Sequence, residues 1–433
     1  MSVVCNKAFA LHKSSLNCTG TSYPFQKRDT GMQKTAFKPA LVLGLVALAS
    51  GLACAQTASP SSVQLYGIVD VAYRHTTHEG VAGDQSLNQM IGGGMSQSRW
   101  GINVTEDLGG GMKAIANLEN RFSADSGEVH YGQPAPYFQQ SWVGLQGGLG
   151  RLTLGRQYNM LFDLVSSTYA SFPYSPYMDA YKPELGMSMG SRSNNMIKYM
   201  AEVGPVRGAL QYSFDEGSTV DKLGAAAGSA GAIKTAGGYL RYSANGLSAG
   251  LGYLNTKLPG GTKVDAWTLG GSHRSGPWYV NLGYGLNKRD GNYPLSLAGA
   301  VDSAVLGAFW TNPISGGFVP GAGVNPSSPA TIANLRNHAN KRQMFKAGFG
   351  YQATPQINMG AHYYHAKQSG SASGAYSGKA NFLVTAVDYA FSKRTDAYFA
   401  VDHTRVSGGD GMALAANGAR SRTGITAGLR HRF

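Results

Sequence analysis

Hydrophobic and polar residues alternate along most of the chain beyond residue 62. In 63–71 the odd positions are mostly apolar: Val63, Leu65, Val69 and Val71. Trp278, Val280, Leu282, Tyr284 and Leu286 share a face that carries no charge. Phe345, Ala347, Phe349 and Tyr351 lie opposite Lys346, Gly348 and Gly350. Ile357, Met359, Ala361 and Tyr363 lie opposite Asn358, Gly360, His362 and Tyr364. At the end of the chain, Ile425, Ala427, Leu429 and Phe433 fall on one parity, with His431 their only polar member. Arg430 and Arg432 take the other. A period of two sends successive side chains to opposite faces of a strand. One greasy face and one polar face, repeated in strands of about ten residues, predicts a membrane barrel with lipid outside and water inside.

The connections fix the strand number. Short turns are read at 109–111, 147–148, 204–205, 245–246, 276–277, 354–355 and 393–394. Long polar segments are read near 79–95, 124–137, 158–191, 216–234, 256–264, 289–342, 367–379 and 406–421. Seven short and eight long links predict about 16 antiparallel strands, with every long loop at one end. A set of soluble sandwiches would need linkers and would not show this asymmetry. The strand ending at Phe433 must pair with the one starting near Val63, because a barrel leaves no edge in lipid. Arg430 and Arg432 are then lumen or periplasmic-mouth cations. Tyr66, Tyr73, Trp142, Trp278, Tyr351, Tyr389, Phe391 and Phe433 lie near strand ends and fit interfacial girdles.

Composition agrees with this reading. Charged residues make up 14% of the chain, while there are 60 glycines and 24 tyrosines. No segment beyond residue 55 approaches the roughly 20 apolar residues of a spanning helix. The N-terminus carries an export signal set back from residue 1: Met32, Lys34 and Lys38, an apolar run over 40–52, and a small-residue site at Ala53-Cys54-Ala55. Residues 1–31 read as an upstream extension, 32–55 as a signal peptide, and 56–433 as the barrel. Acylation at Cys54 is the weaker alternative, since Gly51 stands where a lipobox wants an aliphatic residue. Cleavage after Ala55 removes Cys5, Cys18 and Cys54, all the thiols of the chain, so thiolate chemistry and disulfides drop out. It also removes six cations and one acid, which lowers the formal charge from +14 to +9. The remaining Lys and Arg are dispersed and form no blocks, which argues against nucleic acid as a partner.

Several segments resemble the general porins of Gram-negative bacteria, in particular the β-proteobacterial type. They are SSVQLYGIVDVAY at 61–73, SRWGINVTEDLGGGMKAIANLENRF at 98–122, WVGLQGGLGRLTLGRQYN at 142–159, RSNNMIKY at 192–199, FSKRTDAY at 391–398, and the terminal Phe433. The resemblance implies an all-β, 16-stranded antiparallel transmembrane barrel that assembles as a homotrimer. It implies a third loop, 158–191, folded inward to narrow the pore. The expected function is passive diffusion of small hydrophilic solutes and ions across the outer membrane, without cofactor or metal. Expected partners are outer-membrane lipids and lipopolysaccharide, and the barrel-assembly machinery, which would read Phe433.

A constriction selects by width and by the charges that face each other across it. In this family wall arginines oppose carboxylates on the third loop. Arg99 and Arg192 match wall arginines, and Arg99 is inward by parity because Trp100, Ile102 and Val104 take the lipid face. Gln139 stands where a third arginine is usual. On the loop, Asp163 matches an acid of the family, and Glu184 lies in a resembling Pro183-Glu184-Leu185-Gly186 tip. Asp163 has two readings, as a pore charge or as an anchor of the loop to the wall. Arg121 and Arg156 are further lumen candidates, or partners of carboxylates on neighbouring strands.

Two rival functions fit the sequence less well. Catalysis lacks support: His362, His365, His403 and His431 are scattered, and His362 and His365 have opposite parity. No G-x-S-x-G, H-E-x-x-H or Walker pattern occurs. A surface adhesin or receptor is motivated by the long 289–342 segment, with its Phe309-Trp310 and Phe318-Val319-Pro320 patches.

Overall fold

The structure is a computed structural model. It describes residues 61–79, 85–129, 137–171, 187–188, 191–214, 234–257, 263–289, 340–370, 374, 377–409, 414 and 418–433. The expected signal peptide, Glu184 and residues 290–339 of the long loop lie outside this set.

Strand segments run through the described chain in order. They are β1 (Ser62–Thr76), β2 (Leu87–Gly92), β3 (Arg99–Gly109), β4 (Met112–Arg121), β5 (Phe138–Gly147) and β6 (Gly150–Tyr158). A helix, α1 (Met160–Thr168), follows. Then come β7 (Arg192–Val203), β8 (Val206–Ser213), β9 (Lys234–Ala244), β10 (Leu247–Lys257), β11 (Lys263–Ser275) and β12 (Trp278–Arg289). The last five are β13 (Lys341–Gln352), β14 (Ile357–Ser369), β15 (Gly378–Ala390), β16 (Thr395–Gly408) and β17 (Ser421–Arg432).

From β3 onward each strand pairs antiparallel with the next, and β17 returns to pair with β1, with Ile68 opposite Arg432 and Thr76 opposite Gly424. The barrel is therefore closed. Seventeen segments make 16 staves, because β3 pairs with the first half of β1 and β2 with the second half. The second stave is broken at 93–98, Gly-Gly-Met-Ser-Gln-Ser, a polar stretch that reads in sequence as plain loop. This stretch tucks against the inner wall. Asp70 on β1 accepts hydrogen bonds from the Met95 and Ser96 amides at 3.1 and 2.6 Å, and Met95 is fully buried.

The alternation does what the sequence implied. Outward positions such as Val63, Leu65, Leu210, Leu240, Leu282 and Phe345 are exposed, a surface suited to lipid. Inward positions carry most of the buried polar groups. The seven short turns fall at one end and the long connections at the other. No helix among the described residues is long and apolar enough to cross a membrane. Phe433 closes the last stave. Its amide and carbonyl exchange hydrogen bonds with Gly67, both at 3.1 Å. Its ring lies where a Gly67 side chain would be, so only glycine permits the approach.

Three expectations need correction. Arg430 is not an open lumen cation: it is fully buried, with Nε 2.9 Å from Asp396 and Nη2 3.3 Å from Asp388. Tyr66 is not a girdle residue, since its hydroxyl points inward to Glu119. Trp142 pairs with the inward Asn117, and the Arg151 guanidinium lies 6.0 Å above its ring. Exposed Tyr73, Trp278, Tyr389, Phe391 and Phe433 keep their outer positions.

Candidate functional site

The inner wall of β3, β4, β6 and β7 gathers three arginines around one carboxylate. Register places Arg99 directly opposite Arg121, a like-charge pair that would destabilise the ladder alone. Glu119, two residues before Arg121 on the same inward face, resolves it. Its Oε1 lies 2.9 Å from Arg121 Nε and 3.7 Å from Arg192 Nη2, and its Oε2 lies 3.9 Å from Arg99 Nη1. The Tyr66 hydroxyl donates to Oε2 at 3.2 Å. Glu119 faces Gly101 across the ladder, and the Tyr66 ring end occupies the space a side chain would take there.

Two further groups lock the guanidiniums. The Tyr158 ring lies 4.6 Å from the Arg192 guanidinium and 5.9 Å from that of Arg121, within cation–π reach. Its hydroxyl accepts from both. Gln97, from the inward 93–98 stretch, accepts from Arg99 Nε through its main-chain carbonyl at 3.2 Å and from Arg121 through its side chain. The broken stave thus supplies part of the site. Three cations against one anion leave this wall positive. Arg99 is its accessible member, with a side chain 20% exposed against 3% for Arg121 and for Arg192.

Arg156 and Gln139 stand apart from this cluster. They are joined by a 3.5 Å hydrogen bond, and Arg156 also donates to Asn194. Across the β5–β6 ladder Arg156 pairs with Ser141, in the register of exposed Val143 and Leu145. Asp163 lies in the first turn of α1, where a carboxylate suits the helix dipole. It sits 2.6 Å from Lys198 Nζ on β7, and the same ammonium donates to the Tyr158 carbonyl at 2.9 Å. This is the anchoring geometry rather than a free charge.

The same region seats the third loop. The Asn159 side chain caps α1 by accepting from the Phe162 amide at 2.9 Å, and the Met160 amide donates to Gln211 on β8. The apolar face of α1 then lies on inward glycines. Met160 reaches Gly237, Leu164 reaches Gly250, and Leu161 and Leu164 both reach Gly252. Past the helix, the Tyr169 ring rests on Gly270 and Gly283. The Tyr279 hydroxyl donates to the Ala170 carbonyl at 2.8 Å, and Lys346 donates to that of Tyr169. On the return side Met187 rests on Gly285. Both described ends of the 158–191 segment therefore lie on the inner wall.

A balanced polar network occupies another arc. Arg74 pairs with Asp402 at 2.7 Å, and Arg430 and Arg432 share Asp396. Glu119, Tyr158, Lys198 and Gln97 were not foreseen as site residues. Glu119 had a signal in its parity: Asn117, Glu119 and Arg121 alternate with Ala116 and Leu118. The role of Gln97 had none, since it depends on how 93–98 folds back.

A closed antiparallel barrel, lipid-compatible outside and charged inside, is the architecture of an outer-membrane channel. Residues 40–409 match the Gram-negative porin family, and the chain belongs to it. It is 35% identical over 252 residues to outer membrane porin protein 32 of Delftia acidovorans, covering 55% of this chain and 66% of the relative. It is 29% identical over 387 residues to an outer membrane porin protein of Bordetella pertussis, covering 78% of this chain and 94% of the relative. Among solved structures, the anion-selective porin from Comamonas acidovorans superposes with a TM-score of 0.61 at 24% identity, over 86% of this chain and all of that one. The protein is an outer-membrane diffusion porin of the Gram-negative type.

Proposed function

We propose that the pore prefers small anionic hydrophilic solutes and that the third loop narrows it. The observation that carries this is the cluster of Arg99, Arg121 and Arg192 about the single carboxylate of Glu119. Low-dielectric walls of one sign focus the field into the channel and raise the local concentration of counter-ions. Arg99 supplies the accessible charge, while Arg121 and Arg192 are held by Glu119 and Tyr158. Asp163 acts as an anchor through Lys198, which removes one negative charge from the loop side. Glu184, outside the described residues, remains a proposed loop charge, and Gln139 marks a gap in the positive row that moderates the preference. The solute moves down its gradient, and no energy coupling or catalysis is involved.

The remaining proposals concern assembly. Export uses residues 32–55, with cleavage after Ala55; protein sequencing of the mature N-terminus tests it. The functional unit is a homotrimer in contact with lipid and lipopolysaccharide. Phe433 addresses the assembly machinery, so its deletion lowers the amount of barrel in the outer membrane while channels that do form keep their conductance. Planar-bilayer recording tests the pore itself. Stepwise ohmic conductance is expected, and folded trimers that conduct nothing refute the reading.

A further inference from the structure

The short-turn end of the lumen holds a second group of cations, away from the Glu119 cluster. Arg207 on β8 and Arg241 on β9 lie directly opposite each other across their ladder. Both share the inward face with buried Ala209, Gln211 and Tyr239. Like charges so placed repel. Glu202 on β7 answers one of them: its Oε2 accepts from Arg207 Nε at 2.9 Å and from Nη2 at 2.6 Å. Arg241 has hydroxyls instead. Its Nε donates to Ser248 Oγ and its Nη2 to Ser243 Oγ, both at 3.2 Å. Among the described residues no carboxylate stands within ion-pair distance of Arg241.

Donors outnumber acceptors in this group. A guanidinium has five N–H groups, and the serines take two of those on Arg241. Each serine hydroxyl, having accepted from Arg241, keeps its own proton to donate. Ser243 and Ser248 face each other across the β9–β10 ladder, so both hydroxyls flank the one guanidinium. Next along that ladder Arg241 faces Gly250, on which Leu164 of α1 rests. The group therefore lies on the lumen wall between the loop seat and the short-turn end. From Arg192 to Glu202 is ten residues of β7, roughly 33 Å along the strand. That exceeds the Debye length of about 10 Å at 0.1 M salt, so this charge acts separately from the Arg99 wall.

We propose that Arg241, with Arg207, Ser243 and Ser248, forms an exit site for tetrahedral oxyanions, that is phosphate, sulfate and their monoesters. Four oxygens match donors that arrive from two guanidiniums and two hydroxyls, where the two oxygens of a carboxylate leave some donors unused. An anion between the guanidiniums also offsets their repulsion. The proposal rests on the reading of the pore as an anion path and names a solute class for it.

The test is planar-bilayer recording of the folded protein in KCl, with inorganic phosphate, sulfate or acetate added on the side of the short turns. Phosphate and sulfate lower the chloride current saturably, at concentrations at least about fivefold below acetate. Arg241→Gln raises the phosphate concentration for half of the effect about tenfold, the loss expected for a pair of charge-assisted hydrogen bonds. Each variant is read against its own chloride current. An equal phosphate effect in wild type and Arg241→Gln overturns the proposal. So does an acetate effect equal to that of phosphate, which a bare charge would give. A phosphate effect lost in Arg99→Ala yet kept in Arg241→Gln places the anion at the upper cluster and also overturns it. A reversal potential with the sign of potassium overturns the anion reading itself and is measured without phosphate, so the two failures are told apart. If Arg241→Gln yields no folded protein, Arg241→Lys, which keeps the charge and loses the planar fork, is read by the same criteria.

Discussion

The inner walls of β3–β7 and of β9–β12 share one pleat and do opposite work. On β3–β7 the inward positions carry long charged side chains, three of them guanidiniums fixed around Glu119. On β9–β12 the inward positions that meet the loop are glycines, and the loop supplies the bulk: Met160, Leu161, Leu164, Tyr169 and Met187. One wall projects charge into the lumen. The other withdraws so that a helix can lie against it. On the proposed function, field and width are set by different halves of the barrel and should respond separately to mutation.

The largest effect is expected from the glycine wall. Leu164→Asp places a charge in a fully buried apolar seat, at a cost of several kcal/mol unless the helix leaves it. The helix should leave, and unitary conductance should rise with little change in selectivity. A wild-type conductance from folded Leu164→Asp would detach the seat from pore width. Glu119→Gln comes next. It strips the charged partner from two nearly inaccessible arginines and should cost about 3 kcal/mol by thermal unfolding, while shifting selectivity further towards anions. Lys198→Met releases Asp163 and should cost about 1–3 kcal/mol, read as noisier open-channel current. Arg99→Ala is the mildest for stability, within about 1 kcal/mol, because the Glu119 carboxylate is 3.9 Å away and the side chain is partly exposed. Its effect belongs to selectivity alone. If Arg99→Ala widens the pore, or Leu164→Asp reverses the selectivity, the division between the two walls is wrong.

The barrel was legible because lipid and water enforce parity on each strand. Val63, Leu65, Val69, Trp278 and Leu282 took the outer face as their alternation required. The turns were legible because short connections need residues such as Asn245-Gly246, where both φ angles are positive. The site was legible only in part. Arg99 and Arg192, expected on the wall, both approach Glu119. Their common partner Glu119 was passed over, because parity alone does not say which inward residues meet across three ladders. The division of β2 from β3 was hidden, since Gly-Gly-Met-Ser-Gln-Ser reads as loop until Asp70 is seen receiving its amides. Tyr66 was misplaced because an aromatic near a strand end fits a girdle as readily as an inward hydrogen bond.

The central claim is that the Arg99–Arg121–Arg192 wall sets the sign of ion preference. Reversal potential in a KCl gradient across a planar bilayer tests it directly. The wild-type value should take the sign set by chloride, move towards zero in Arg99→Ala and move further towards the chloride limit in Glu119→Gln. A wild-type value with the sign of potassium, or one that neither substitution moves, would contradict the account.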